Sequence, residues 1–182
     1  MFGRPTDMKT LSALLLLLVL AAGTGALRGF DLTKPLARTE VVFFEPEKFT
    51  DMRESSQGGL PQVRAETLAE LRTFLVQQAR PLLTAGQVLK ITVTDVDLAG
   101  EFEPWFATGG ADVRVVRDVY PPRISLAFRL TDADGSILAQ GDRELSDVMF
   151  LTRLSVRLDD ARRFEKALFE DWLHKEFAAR RK

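Results

Sequence analysis

Two stretches of strict alternation constrain this chain more than any other feature of its sequence. Leu89, Ile91 and Val93 alternate with Lys90, Thr92 and Thr94; Ile124, Leu126, Phe128 and Leu130 alternate with Ser125, Ala127, Arg129 and Thr131. A period of two places successive side chains on opposite faces of a strand. Each stretch therefore has one apolar and one largely polar face, the mark of a sheet covered on one side and solvated on the other. Asp132-Ala133-Asp134-Gly135 follows the second stretch as a hairpin turn, and Ser136 to Gly141 returns as its partner strand. The first stretch, read as a strand over Val88 to Val96, loses its phase near its end. Continued unchanged, it would put Asp95 and Asp97 on the apolar face and Val96 on the polar one. Unpaired carboxylates in a core are costly, so the slip predicts a β-bulge or a strand end near Asp95.

The covering layer is also readable. Pro61 suits a first helical turn, where its missing N–H is no loss. From there Leu68, Leu71, Leu75, Ala79 and Leu82 recur at helical spacing. Pro81 predicts a kink or an end near Ala79, and Gly86 closes the element. A second helix starts around Asp159-Asp160, acids that suit the positive end of a helix dipole. Its stripe is Phe164, Leu168 and Trp172, flanked by Ala167, Phe169 and Leu173, and it closes on Arg180-Arg181-Lys182. Upstream, Glu40 to Glu45 contains Val41-Val42-Phe43-Phe44, a strand-like run ended by Pro46. Residues 47–59 read as a polar loop, 98–112 as a loop rich in glycine, glutamate and aromatics, and Val113 to Tyr120 as a short strand. The expected fold is α+β, a two-layer sandwich with one sheet of about four strands and two helices packed on it. Its first strand–helix–strand unit would be able to pair in parallel through a right-handed crossover.

The amino terminus reads as a secretory leader. A basic start precedes an apolar run from Leu11 to Ala22, then Gly-Thr-Gly-Ala. The run is about twelve residues, shorter than the roughly twenty a membrane span needs. Met8 is the more natural start, with residues 1–7 as an extension. Residues 1–26 form the expected signal peptide, with cleavage after Thr24-Gly25-Ala26. Residues 27–38 form a flexible lead-in, and 39–182 a single α+β domain. The processed chain would hold 156 residues, enough for one core, with 23 bases against 25 acids and a net charge of −2. That balance argues against a nucleic-acid partner. The absence of cysteine closes disulfide formation and lipid attachment through a cysteine behind the leader.

Three strings carry a family likeness: Val93-Thr94-Asp95-Val96-Asp97-Leu98-Ala99-Gly100, Tyr120-Pro121-Pro122-Arg123-Ile124, and Glu165-Lys166-Ala167-Leu168 leading to Trp172. With Val42-Phe43-Phe44 and Phe49-Thr50-Asp51, the chain from about Glu40 to Trp172 resembles an uncharacterised family of small secreted bacterial proteins, a domain of unknown function of the DUF3016 kind. Asp-Val-Asp-Leu-Ala-Gly is the most specific string. The resemblance implies a Gram-negative, exported setting and carries no activity and no functional residue; with the leader, the expected location is the periplasm.

Asp95, Asp97, Glu101 and Glu103 form the densest acid cluster. Four carboxylates near one loop have the oxygen chemistry of a Ca²⁺ or Mg²⁺ site, but Ala99 and Phe106 stand where the calcium-loop pattern needs ligands. The plainer reading is that these acids end a strand and cap loop amides. Asp132 and Asp134 are explained by their turn. His174, the sole histidine, has no nucleophile motif beside it, reads as an exposed helical residue, and makes a zinc site of the usual kind unexpected. Phe102, Trp105 and Phe106 form either a binding edge or a lid folded over the sheet. Arg180-Arg181-Lys182 reads as dipole complement rather than a lipid contact. The function expected is an exported, non-catalytic partner-binding module. Its contact loop runs from Asp95 to Phe106, with Asp95 and Asp97 orienting it and Trp105 and Phe106 in contact. The partner is an envelope protein or small ligand, no cofactor is expected, and no stable membrane span remains after cleavage. Two alternatives stand beside it: a metal-assisted hydrolase using Asp95, Asp97, Glu101 and Glu103, and a carrier of a lipid or other apolar ligand between helix and sheet.

Overall fold

The computed structural model describes residues 37–52, 60–102, 114–153 and 159–178. The alternating stretches are the two central strands of a four-stranded sheet. In chain order the elements are β1 (Arg38–Phe43), α1 (Pro61–Ala79), β2 (Val88–Asp97), β3 (Glu101–Phe102), β4 (Arg114–Val115), β5 (Arg123–Thr131), β6 (Ile137–Ser146) and α2 (Arg163–Phe177). The sheet order is β1-β2-β5-β6, and β3 and β4 form a separate two-stranded ribbon. β1 and β2 pair in parallel, so α1 is their crossover. The β2–β5, β5–β6 and β3–β4 pairs are antiparallel. The α+β sandwich expected from the pattern is the fold observed.

Burial follows the alternation. Leu89, Ile91, Val93 and Val96 of β2 are fully buried, and so are Ile124, Leu126, Phe128 and Leu130 of β5. They face Leu68, Leu71, Leu75 and Ala79 of α1 and Leu168, Phe169, Trp172, Leu173 and Phe177 of α2 in one core. Phe128, Trp172 and Phe177 meet edge to face with centroids 5.6–5.8 Å apart, the geometry that suits aromatic quadrupoles. The helices are also tied to each other. Lys166 Nζ donates to Glu70 Oε1 of α1 at 2.5 Å and to Asp160 Oδ2 at 2.6 Å, and Arg162 Nη2 donates to Thr67 Oγ1 at 3.2 Å. Among the described residues the other sheet face carries no helix; Lys90, Thr92, Ala127, Arg129, Gln140 and Asp142 line a shallow depression of about 500 Å³ on it.

The phase slip in β2 is a bulge: the β2–β5 register shifts between Val93 and Asp95. The extra residue, Thr94, is exposed. Asp95 then pairs with Ser125, Val96 with Ile124 and Asp97 with Arg123, so the valine is in the core and both aspartates are off it. At the other helix end, α1 stops at Ala79 as Pro81 predicts, and Arg80–Leu82 continue as a 3₁₀ turn. The hairpin turn is closed by Asp132 N donating to Ser136 O, with Gly135 at φ +84°.

Several boundaries differ from expectation. The first strand lies at 38–43 rather than 40–45, because Glu45 takes a left-handed φ of 52° and starts a turn. The polar stretch after it is not simply a loop. It forms 3₁₀ turns at Pro46–Lys48 and Thr50–Met52 that drive Phe49 and Met52 into the core. Among the described residues of the strand expected over 113–120, only Arg114–Val115 pairs, and its partner Glu101–Phe102 lies in a stretch read as loop. β6 runs to Ser146, well past Gly141. Being an edge strand with no fully buried residue, it lacks the apolar alternation that would have marked its length. α2 begins at Arg163 rather than at the acid pair; Asp160 instead accepts from Arg162 N at 2.8 Å in the turn before it.

Candidate functional site

The bulge delivers the string Asp95 to Gly100 to a junction of three other elements. Asp95 is wholly engaged: Oδ1 accepts from Thr50 N at 2.7 Å and Oδ2 from the Thr50 hydroxyl at 2.8 Å. It caps the turn that follows β1, as an aspartate caps a helix start. Asp51, next in that turn and 5% exposed, accepts from Leu98 N at 2.5 Å and from Arg114 Nη2. Arg114, on β4, also donates to Leu98 O at 2.9 Å, Gly100 O at 2.8 Å and, through Nε, Ala99 O at 2.9 Å. Its guanidinium lies 5.1 Å from the Phe102 ring centroid. Glu165, in the first turn of α2, accepts from Ala99 N at 2.7 Å. Gly100 N donates to Tyr120 O at 3.0 Å. Every main-chain N–H and C=O from Leu98 to Gly100 is thus paired, which is what burial of non-repetitive backbone requires.

Gly100 is obligatory here. Its φ is +84°, and a Cβ would come within 2.6 Å of Val115 O. The left-handed region and the close approach both favour glycine.

Asp97 differs from its neighbours. It is half-buried yet accepts no hydrogen bond among the described residues, and its nearest cation, Arg123 Nη1, is 4.0 Å away. Burial, then the charge of Asp51, push its carboxyl up to about 6; Arg123 opposes this and Asp95 adds to it. It lines a cleft of about 210 Å³ with Thr50, Glu101, Tyr120, Pro121 and Arg123. Glu101 Oε1 accepts from Phe102 N at 2.9 Å. Glu103, Trp105 and Phe106 lie outside the described residues, as do residues 1–36 with the expected leader and Arg180-Arg181-Lys182. Among the described residues no three His, Asp or Glu side chains gather as a metal site would need, and no helix is long and apolar enough to cross a membrane.

Of the other sites singled out by sequence, Asp132 and Asp134 accept from Ala133 N and Ser136 N, both at 2.9 Å, within their turn. His174 is exposed on α2. The space between helices and sheet holds fully buried side chains: Leu71, Leu75, Leu89, Ile91, Phe169 and Leu173 all have zero exposure.

Sequence reasoning missed three charged residues that build the junction: Asp51, Arg114 and Glu165. Asp51 and Glu165 fall inside the strings of the family likeness, which was their only signal. Arg114 had none.

A protein-family model described as "Protein of unknown function (DUF3016)" matches residues 37–175. No curated protein matches the chain. Solved structures overlap it loosely, among them the following two. A PelC dodecamer from Paraburkholderia phytofirmans is 11% identical, with 77% of this chain and 86% of that one covered at a TM-score of 0.37. A minor lipoprotein from Acinetobacter baumannii is 12% identical, with 81% and 96% covered at a TM-score of 0.26. Likeness at that level carries no argument about activity or assembly.

Proposed function

The chain belongs to the DUF3016 family, and from that premise we propose that it is an exported, non-catalytic partner-binding protein of the cell envelope. The contact surface is the segment that leaves β2, beginning at the Asp97 cleft and continuing through Trp105 and Phe106.

The observation that carries this reading is the contrast between Asp97 and everything around it. Asp51, Asp95, Glu101 and Glu165 each accept a main-chain N–H. Among the described residues Asp97, by contrast, stays half-buried with no donor, beside Tyr120 and Arg123. A carboxylate so placed gains more from an incoming donor than a fully hydrated one does, because its desolvation is already partly met. Asp95 acts as scaffold and Asp97 as contact, which divides the roles that the sequence assigned to both. A periplasmic location, reached through a cleavable leader over residues 1–26, belongs to the same proposal.

Affinity recovery from periplasmic extract, comparing the native chain with Asp97→Lys and Trp105→Ala, tests the reading. Loss of the same partner from both variants supports it. Identical recovered sets from all three, with circular dichroism showing intact folds, remove this segment as the contact surface.

A further inference from the structure

Glu165 is the most deeply buried charged group of the described residues, at 1% exposure. Only one of its oxygens is used. Oε1 accepts from Ala99 N at 2.7 Å, while Oε2 is buried with no hydrogen-bond partner among the described residues. Ala99, which it contacts, packs in a small apolar cluster with Phe150 and Phe164. The two rings meet edge to face at 4.8 Å. Phe150 is held in place by its own 3₁₀ turn, which Arg153 straps down by bonding Asp147 and Asp171, both at 2.5 Å.

We propose that this contact between α2 and the exit of β2 is a proton-gated latch, closed while Glu165 carries its proton and loosened when the carboxylate forms. An ionised Oε2 with no donor cannot stay dry. Water reaches it when the first turn of α2 moves off Ala99. The charges acting on the group do not rescue it in place. Arg162, at the entry to α2, donates to Thr67 of α1, and Arg114 of β4 is already committed to Asp51 and three carbonyls. Burial is the largest influence on Glu165 and raises its carboxyl above the ordinary glutamate range; the Ala99 amide, the residue's own main-chain amide and the two arginines only moderate this. The latch is independent of the partner-binding reading, since it concerns α2 and not the Asp97 cleft.

Thermal midpoints of the full chain and of Glu165→Gln, measured from pH 4 to pH 8, test it. The variant keeps an oxygen for Ala99 N and cannot ionise. The expected result is a gap in favour of the variant that widens by about 3 °C or more as pH rises, together with falling hydrogen-exchange protection at Ala99 in the native chain only. A gap constant across that range, with unchanged protection at Ala99, overturns the latch. Should the variant fail to fold, carboxyl ¹³C NMR of the native chain decides. A glutamate titrating above the ordinary range, in step with the Ala99 amide, supports the proposal; the absence of any such glutamate overturns it.

Discussion

Single residues in this protein act mostly by holding backbone. The largely buried Arg114–Asp51 pair, with its guanidinium still 15% exposed, approaches the case of a buried ion pair. Such a pair gains little net stability, because desolvation of two ions offsets their attraction, whereas removing one partner alone costs about 3–5 kcal/mol. Its use here is specificity: one guanidinium gathers three consecutive carbonyls and a carboxylate and so fixes the path of residues 98–100. Gly100→Ala meets two penalties at that path, a positive φ and a main-chain oxygen 2.6 Å from the new methyl. A loss of at least about 2 kcal/mol is expected, read as a lower urea midpoint with unchanged slope. Asp97 gives the opposite sign. Its carboxyl is raised from 3.8 to about 6 in the folded chain, so the folded state holds its proton longer than the unfolded state. Its contribution to stability therefore falls as pH rises from about 4 to 6 and stays low above that. Asp97→Asn removes this fall. At pH 7 the variant is expected to be more stable by about 1 kcal/mol, a figure reduced for the quarter of the side chain that meets solvent. Urea titrations at pH 4 and pH 7 check it: the gain is present at pH 7 and absent at pH 4.

At the scale of elements, the bulge and the two helix faces do the organising. One extra residue in β2 keeps Val96 in the core and turns Asp95 toward the turn after β1, where Thr50 supplies both donors. Without it the same string would bury two carboxylates. The helices show ordinary amphipathic logic, and adjacent positions on α1 separate its two faces. Leu75 has zero exposure and Val76 is 38% exposed. Leu75→Ala is expected to cost about 2–5 kcal/mol, and Val76→Ala less than about 0.5, measured as the difference in denaturant midpoint. Equal effects would mean that α1 is docked by its other face. Much of this was legible. Alternation marked β2 and β5, the proline at 81 marked the end of α1, and the slip at Asp95 marked the bulge. β6 was read too short because an edge strand needs no continuous apolar face. The turns at 46–52 were read as polar loop because single core residues, Phe49 and Met52, leave no period to detect.

For the whole molecule, the proposed leader leads to one direct expectation. Intact mass of the chain recovered from a periplasmic fraction should correspond to a start near Leu27, a chain of 156 residues. A mass that retains residues 1–26 would remove the export reading. The sequence by itself determined the class of fold, the face of the sheet that is covered and the two helices that cover it. These are local and periodic properties, and periodicity survives in a linear string. The tertiary structure alone decided that Asp51, Arg114 and Glu165, drawn from a turn, a two-residue strand and a helix, converge on three consecutive residues, and that Asp97 has no donor among the described residues. Such convergence depends on distances between segments up to 66 residues apart. No spacing rule records it, because each charged residue, seen in its own segment, looks like ordinary solvated surface.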